Sequence, residues 1–287
     1  MKNKHTIWFY IVAVFVLSYL WQLVLYLTGG IESNLFPALM LFPGIVAVVF
    51  LIFGKESYLR IGWGLRRWWY ILPALLLPVL FILVAGWLFI TFNWAALSGK
   101  HFLFEKGVVA IQRIPFIFGS RPQSIAFFSL NFVITLLVQS LLGSLVTIGE
   151  ELGWRGYAQE KLIRRFGLNG GLILLGAIWG YWHLPIGLMG WNFPNHPVLG
   201  ALILTPLSTI FLGIYMGWLY LRSRSIWMPT LAHAAWNLCL TLLLNELVMY
   251  RDDIYPQLTI LAIWAVLAGI CLVSLNYKKP VLWQAVD

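Results

Sequence analysis

Residues 125–155 read IAFFSLNFVITLLVQSLLGSLVTIGEELGWR, and they indicate the fold class of the chain. Residues 125–148 contain no charged side chain. A helix rises 1.5 Å per residue, so about 20 apolar residues cross the hydrocarbon core of a bilayer. The segment is therefore predicted to span a membrane. Two carboxylates, Glu150 and Glu151, follow it directly, at a position where burial in lipid would be costly.

The rest of the chain has the same apolar character. It is 61% hydrophobic and 10% charged, with a mean hydropathy of +0.85, against about 45–50% and 25% in soluble domains. Eight candidate spans are found at residues 7–28, 36–53, 69–92, 125–148, 171–190, 198–220, 227–248 and 257–275. Unpaired backbone groups are not tolerated in lipid, and no barrel-like alternation occurs, so these spans are predicted to be helices. The predicted fold class is all-α: a polytopic transmembrane bundle of about eight helices, forming one integral membrane domain over residues 1–287.

The distribution of the 19 basic residues predicts the orientation of the bundle. With the N-terminus in the cytoplasm, most of them fall in cytoplasmic segments, and the short loops obey the positive-inside rule. The outer side keeps Arg251 and the basic residues of the long loop at 93–124. Both termini are therefore expected in the cytoplasm, and the net charge of +9 is attributed to topology rather than to nucleic acid binding. The apolar run that begins at Ile7 reaches about Thr28 without an A-x-A-like site, which favours an uncleaved first helix.

The charged groups at the end of the fourth span are the first candidates for chemistry. Glu151 and Arg155 are four residues apart, so they share a helix face and are expected to pair. Glu150 points about 100° away and is expected to be the carboxylate left for chemistry. To bring these groups inside the bundle, the fourth helix must continue past Arg155 toward Lys161, with Arg155 extending to the interface. An isolated E-x-x-x-R would be explained more simply as a salt bridge at a helix end.

Two later spans carry polar side chains as well. His183 lies in the sequence IWGYWHLP, and on its own it would be a hydrogen-bonded core histidine. His233 and Asn237 are one helical turn apart, and on their own they would be hydrogen-bonding groups between helices. Together with Glu150, these side chains are the parts needed to activate water and stabilise an oxyanion. A carboxylate with two histidines can equally hold zinc, which makes Glu150, His183 and His233 the candidate metal ligands.

At these residues the sequence resembles the CPBP intramembrane protease family, also called the Abi family. That family includes type II CAAX prenyl proteases and bacteriocin-processing or self-immunity proteins. Three of its motifs match in order: E-E-x-x-x-R at Glu150, Glu151 and Arg155, F-x-x-x-H at His183, and H-x-x-x-N at His233 and Asn237. The motif-bearing core covers about 140–240. The phenylalanine place of the second motif holds Trp179, a change expected to reshape a pocket wall rather than to alter the chemistry.

The resemblance implies an endopeptidase that hydrolyses a peptide bond of a membrane-associated protein or peptide. It implies that Glu150 activates the hydrolytic water with help from His183, while His233 and Asn237 bind the developing oxyanion. Glu151 and Arg155 complete the set of candidate site residues, which is expected inside the bundle. No H-E-x-x-H pair is present, so a zinc site would need ligands from three helices, and a metal-free Glu/His mechanism is the alternative.

Two other classes of function fit the composition. A non-enzymatic bacteriocin-immunity or peptide-binding protein can use the same scaffold, and a small-solute transporter can use buried polar residues as a pathway. The sequence shows no paired inverted repeat or matched broken helices, which disfavours the transporter. The complete set of polar groups favours the peptidase. Its expected partners are a peptide or protein substrate and the lipid bilayer, with no nucleic acid; the motifs do not say whether the substrate is prenylated.

Overall fold

The computed structural model describes residues 6–54, 61–99, 101–111, 116–243, 247–249 and 254–278. Helices dominate these ranges, which confirms the predicted helical polytopic fold. The α-helices are α1 (Thr6–Leu27), α2 (Phe42–Phe53), α3 (Ile71–Thr91), α4 (Ile125–Glu151), α5 (Glu160–Trp182), α6 (Leu184–Leu188), α7 (Pro197–Leu199), α8 (Thr205–Ser223), α9 (Trp227–Leu242) and α10 (Tyr255–Tyr277). A 3₁₀-helix, Phe36–Leu41, precedes α2, and two π-helices, Leu152–Gln159 and Gly200–Leu204, precede α5 and α8.

The predicted number of eight spans is not confirmed. In the described part of the chain, six helical runs are long and apolar enough to cross a membrane. One of them, Ile125–Trp182, has 58 residues, and Gly167 breaks its helical geometry with φ 76° and ψ 169°. In addition, α9 has only 16 residues, which is short for a bilayer-spanning helix. The lower number thus reflects one long broken run and one short helix.

The helices turn apolar side chains outward, as lipid-facing helices do. In α1, Phe9 is 62% exposed and Leu20 is 57% exposed. The inward positions of the same helix recur every three or four residues and include two polar side chains, Ser18 and Gln22. An apolar exterior with buried polar groups is the expected pattern when the solvent is lipid. The chain is therefore an integral multi-pass membrane protein; Arg251 and both termini lie outside the described residues, so the orientation stays a prediction.

The chain divides into two compact units. The first comprises the described residues of Met1–Tyr70, Leu145–Thr230 and Leu261–Asp287, and the second those of Ile71–Ser144 and Leu231–Ile260. The first unit contains Glu150 and His183. The second contains His233 and Asn237. The prediction of one integral membrane domain over residues 1–287 stays a prediction.

Five short strands lie in the second unit, where the sequence predicted only a loop and the end of a span. They are β1 (Ala95–Leu97), β2 (Phe102–Glu105), β3 (Val108–Ile111), β4 (Gln123–Ser124) and β5 (Leu247–Met249). The segment 93–124 is thus a small sheet, β2-β3-β4, plus a ribbon in which β1 pairs antiparallel with β5. The expected seventh span, 227–248, was too long. Its helix ends at Leu242, and residues 247–249 pair with β1 instead.

Candidate active site

The E-E-x-x-x-R motif covers the end of α4 and the start of the next helix, and it is helical throughout, as its predicted place inside the bundle required. The π-helix Leu152–Gln159 joins α4 to α5, so the helix continues past Arg155. Glu150 is 3% exposed and Glu151 is fully buried. The predicted ion pair is present: Nη1 of Arg155 donates to Oε1 of Glu151 over 3.0 Å. The expectation that Arg155 reaches toward the interface is wrong, because this residue is only 1% exposed and its charge is balanced inside the protein.

Glycines bring this motif close to the 3₁₀-helix and to α2. A Cβ on Gly149 would lie 2.5 Å from the carbonyl oxygen of Met40, and one on Gly153 would lie 2.5 Å from Cβ of Pro43. Small residues four positions apart allow helix backbones to approach closely in membranes. The two glycines flank Glu150 and Glu151, so the contact that they permit fixes the depth and rotation of both carboxylates.

Trp179 connects the carboxylate and the histidine of the first unit. Its indole Nε1 donates to Oε2 of Glu150 over 2.6 Å. Its backbone carbonyl oxygen lies 2.9 Å from Nδ1 of His183. The guanidinium of Arg155 lies over its ring, 4.4 Å from the ring centroid. The sequence interpretation of Trp179 as a pocket-wall residue was therefore incomplete, and so was the description of Glu150 as the carboxylate without a partner.

The bond to Trp179 determines which nitrogen of His183 carries a proton. A carbonyl oxygen only accepts hydrogen bonds, so Nδ1 of His183 must be the donor. In the neutral imidazole the lone pair is then on Nε2, the nitrogen suited to accept a proton or a hydrogen bond from water. The ring also packs against two further tryptophans, Trp182 at 4.6 Å and Trp191 at 4.8 Å between centroids. These contacts hold the imidazole plane in one orientation.

Gln22 of α1 stabilises the interruption of the helix at His183. In a continuous helix the N–H of Ile186 would donate to the carbonyl of Trp182. Instead, Ile186 donates to Oε1 of Gln22 over 3.1 Å, and Nε2 of Gln22 donates to the Trp182 oxygen over 3.0 Å. One buried amide thus replaces the missing backbone bond beside Pro185. Sequence analysis did not identify Gln22, although a glutamine within an apolar span is a signal of a buried role.

Helix α5 is packed against α8 through glycines. A Cβ on Gly176 would lie 2.4 Å from Cα of Ile210, and one on Gly180 would lie 2.4 Å from Cα of Pro206. The hydroxyl of Thr209 donates to the Gly176 carbonyl over 2.9 Å. These backbone contacts leave α5 little freedom to move, so Trp179 and His183 are carried by a fixed helix.

The third motif lies in the second unit, on α9. His233 is 5% exposed and Asn237 is partly buried, four residues later on the same helix. The backbone carbonyl of Asn237 accepts a hydrogen bond from the Thr241 hydroxyl over 3.0 Å. The helical spacing predicted for the pair is thus present. Their role as oxyanion ligands stays a prediction.

The described residues do not provide a three-ligand metal site. Over these ranges, no group of three His, Cys, Asp or Glu side chains is placed to hold a metal ion. Catalytic zinc sites usually have three protein ligands. Within the first unit, Glu150 and Nε2 of His183 are the donors of suitable chemistry, which is one short of that number.

Comparisons with known proteins agree with the motif pattern. Residues 129–239 match the family model described as type II CAAX prenyl endopeptidase Rce1-like. That range contains all the predicted site residues. The chain is also 34% identical over 116 residues to a protein named CAAX prenyl protease 2 of Methanococcus maripaludis. This alignment covers 39% of the chain and 41% of the relative, so the likeness spans about two fifths of each protein.

Proposed function

We propose that this chain, whose residues 129–239 match the Rce1-like type II CAAX prenyl endopeptidase model, is a CPBP-family endopeptidase that hydrolyses a peptide bond of a membrane-associated substrate. The observation that carries the proposal is the bonded set Glu150–Trp179–His183. A nearly buried carboxylate and a nearly buried imidazole are oriented by the same tryptophan, with distances of 2.6 and 2.9 Å. A packing role alone would not require two titratable groups to be held in this way inside an apolar helix pair.

The proposed chemistry uses Glu150 as the base and the neutral imidazole of His183 as a hydrogen-bond acceptor. Glu150 removes a proton from a water molecule whose other contact is Nε2 of His183. The resulting hydroxide attacks the scissile carbonyl carbon, and the carbonyl oxygen becomes an oxyanion. Such an oxyanion needs hydrogen-bond donors, and His233 and Asn237 are proposed for this role from the family motif alone. Collapse of the intermediate breaks the C–N bond, and Glu150 returns its proton to the departing amine. Such a base contributes about 10²–10⁴-fold in rate.

The substrate class is inferred from the names of the matched proteins. Both the family description and the relative's name contain the words CAAX prenyl. A C-terminal C-a-a-X sequence is the signal for attaching a prenyl lipid to its cysteine. A lipid-anchored tail delivers its peptide bonds to the membrane, where the buried carboxylate lies. We therefore propose C-terminal tails with a prenylated cysteine as the substrate of this chain, cleaved near the cytoplasmic leaflet.

Whether a zinc ion takes part in the reaction needs a separate test. If a zinc ion takes part, purified active protein contains about one equivalent of metal by elemental analysis, and chelation abolishes cleavage. If the carboxylate and histidine act alone, activity survives chelation in metal-depleted buffer. The two outcomes separate a metalloprotease from a metal-free Glu/His enzyme.

The proposal is tested with the full chain purified into lipid nanodiscs. The substrate is a fluorescent peptide that ends in a farnesylated CAAX sequence, and the same peptide without the farnesyl group is the control. We expect cleavage of the farnesylated peptide, and loss of cleavage in Glu150→Gln and His183→Ala. If Glu150→Gln cleaves as fast as the wild type, the peptidase proposal is overturned. A cellular phenotype that survives both substitutions would favour a binding or immunity protein.

A further inference from the structure

The residue between the two proposed catalytic groups has a chemical feature that the family motif does not require. The motif F-x-x-x-H has a phenylalanine at this position, and the phenylalanine side chain has no hydrogen-bond donor. Trp179 has an indole N–H, and the structure directs it at Oε2 of Glu150 over 2.6 Å. Both residues are 3% exposed, so water cannot readily replace this bond.

The surroundings of Trp179 strengthen its N–H as a donor. The Arg155 guanidinium lies 4.4 Å from the ring centroid. A cation over the ring face is attracted to the π-electrons and polarises them, which makes the indole N–H a better donor to an anionic acceptor. The acceptor is a carboxylate, so the bond is charge-assisted and belongs to the stronger class.

Helix α8 passes close to the ring of Trp179. A Cβ on Gly213 of α8 would lie in van der Waals contact with the ring, 3.9 Å from its Cε3 atom. The carbonyl oxygen of Trp179 accepts from Nδ1 of His183. One residue therefore contacts Oε2 of Glu150 through its side chain and Nδ1 of His183 through its backbone.

We propose that Trp179 is a positioning residue of the hydrolytic reaction: its indole N–H holds the Glu150 carboxylate, and its carbonyl holds the His183 imidazole. This inference rests on the proposed peptidase function. Trp179 acts through Glu150 and does not contact the substrate. Loss of the N–H lets the carboxylate rotate away from the attacking water, so the turnover step slows while substrate binding is unchanged.

The test removes the N–H in two ways. Trp179→Phe keeps an aromatic ring, and replacement of Trp179 by β-(3-benzothienyl)alanine keeps the ring size and removes only the N–H. A hydrogen bond to a charged group corresponds to about 10- to 100-fold in rate, so both variants should lose about tenfold or more in kcat. KM for the farnesylated CAAX peptide should stay within about twofold of the wild type.

Trp154→Phe is the matched control. Trp154 is fully buried, and its indole N–H has no hydrogen-bond partner among the described residues. Trp154→Phe therefore removes an indole N–H without breaking a hydrogen bond, and the kcat of this variant should equal that of the wild type. In addition, Glu150→Asp shortens the side chain and moves the carboxylate from the indole. Trp179→Phe should then reduce kcat much less in the Glu150→Asp background than in the wild type, because residues that act as a unit are non-additive.

The outcomes separate this inference from the peptidase proposal. Absence of cleavage by the wild type, or full cleavage by Glu150→Gln, overturns the proposed function and this inference with it. An inactive Glu150→Gln together with full kcat of the benzothienyl protein overturns the role of Trp179 alone. A raised KM with unchanged kcat, or an equal loss of kcat in Trp154→Phe, also overturns it.

Discussion

Gln22 is a single amide that replaces a backbone hydrogen bond inside the membrane. Gln22→Leu removes both of its bonds, to Trp182 and to Ile186. Hydrogen bonds between membrane helices contribute about 0.6 kcal/mol on average and up to about 1.7, so we expect a loss of about 1–3 kcal/mol of stability. The measurement is the free energy of unfolding in bicelles.

Ser18 provides the control for that substitution on the same helix. Its hydroxyl is fully buried and has no hydrogen-bond partner among the described residues. Ser18→Ala should therefore change the free energy of unfolding by less than about 0.5 kcal/mol. Equal losses in the two variants would show that Gln22 has only a packing role.

The pair Glu151–Arg155 is a buried ion pair, and its two partners should be coupled. Arg155→Leu leaves the carboxylate charge without its arginine and should cost about 3–5 kcal/mol of stability. The double variant Glu151→Leu/Arg155→Leu removes both charges and should lose less than Arg155→Leu alone. Unfolding measurements on the two single variants and the double variant form the cycle. Additive losses would contradict the ion pair.

The sequence predicted contacts within one helix and missed contacts between helices. The i,i+4 spacing correctly predicted the bond between Glu151 and Arg155, because helical spacing determines that contact locally. It did not predict the bond from Trp179 to Glu150, which joins residues 29 positions apart. That contact depends on how α5 rotates against the motif, and single-residue patterns do not encode this rotation. Arg155 was placed at the interface for the same reason.

At the scale of elements, α5 depends on close contact with α8. Gly180→Ala would place a Cβ 2.4 Å from Cα of Pro206 and 2.5 Å from Oγ1 of Thr209. A backbone atom cannot yield without separating the helices, so we expect a loss of about 1–3 kcal/mol of stability and reduced cleavage. Gly269→Ala is the control, since no described atom lies within 4 Å of its Cβ position. That variant should be as stable as the wild type or slightly more stable; equal effects would contradict the packing argument.

The ends of helices were predicted correctly where the amino-acid composition of the sequence changes. They were missed where pairing between strands determines them. The charge-free run before Glu150 correctly indicated α4, since lipid selects apolar helices over such a length. The end of α9 at Leu242 was missed, because residues 247–249 are apolar enough for a span but pair with Ala95–Leu97. The π-helix Leu152–Gln159 was also missed. Its hydrogen-bond pattern has no compositional signature, although π-helical segments often occur at functional sites.

At the scale of the whole molecule, the prediction concerns which side of the membrane each connection faces. If the helix after Gly167 crosses the bilayer, Asn169 lies on the cytoplasmic side and Asn195 on the outer side. Both residues are exposed, whereas the natural Cys239 and Cys271 are buried, so background labelling should be low. Asn195→Cys should react with a membrane-impermeant maleimide in intact cells. Asn169→Cys should react only after permeabilisation, and reaction of both on one side would contradict the eight-span topology.

The central claim is that Glu150, the carboxylate bonded to Trp179, is the base, and that its neighbour Glu151, paired with Arg155, is structural. The most direct measurement compares kcat of Glu150→Gln and Glu151→Gln on the farnesylated CAAX peptide, normalised to folded protein. If Glu150 is the base, Glu150→Gln should lose at least about 10²-fold in kcat. Glu151→Gln should lose less than about tenfold, because its effect falls on stability. Equal losses, or a larger loss in Glu151→Gln, would contradict the claim.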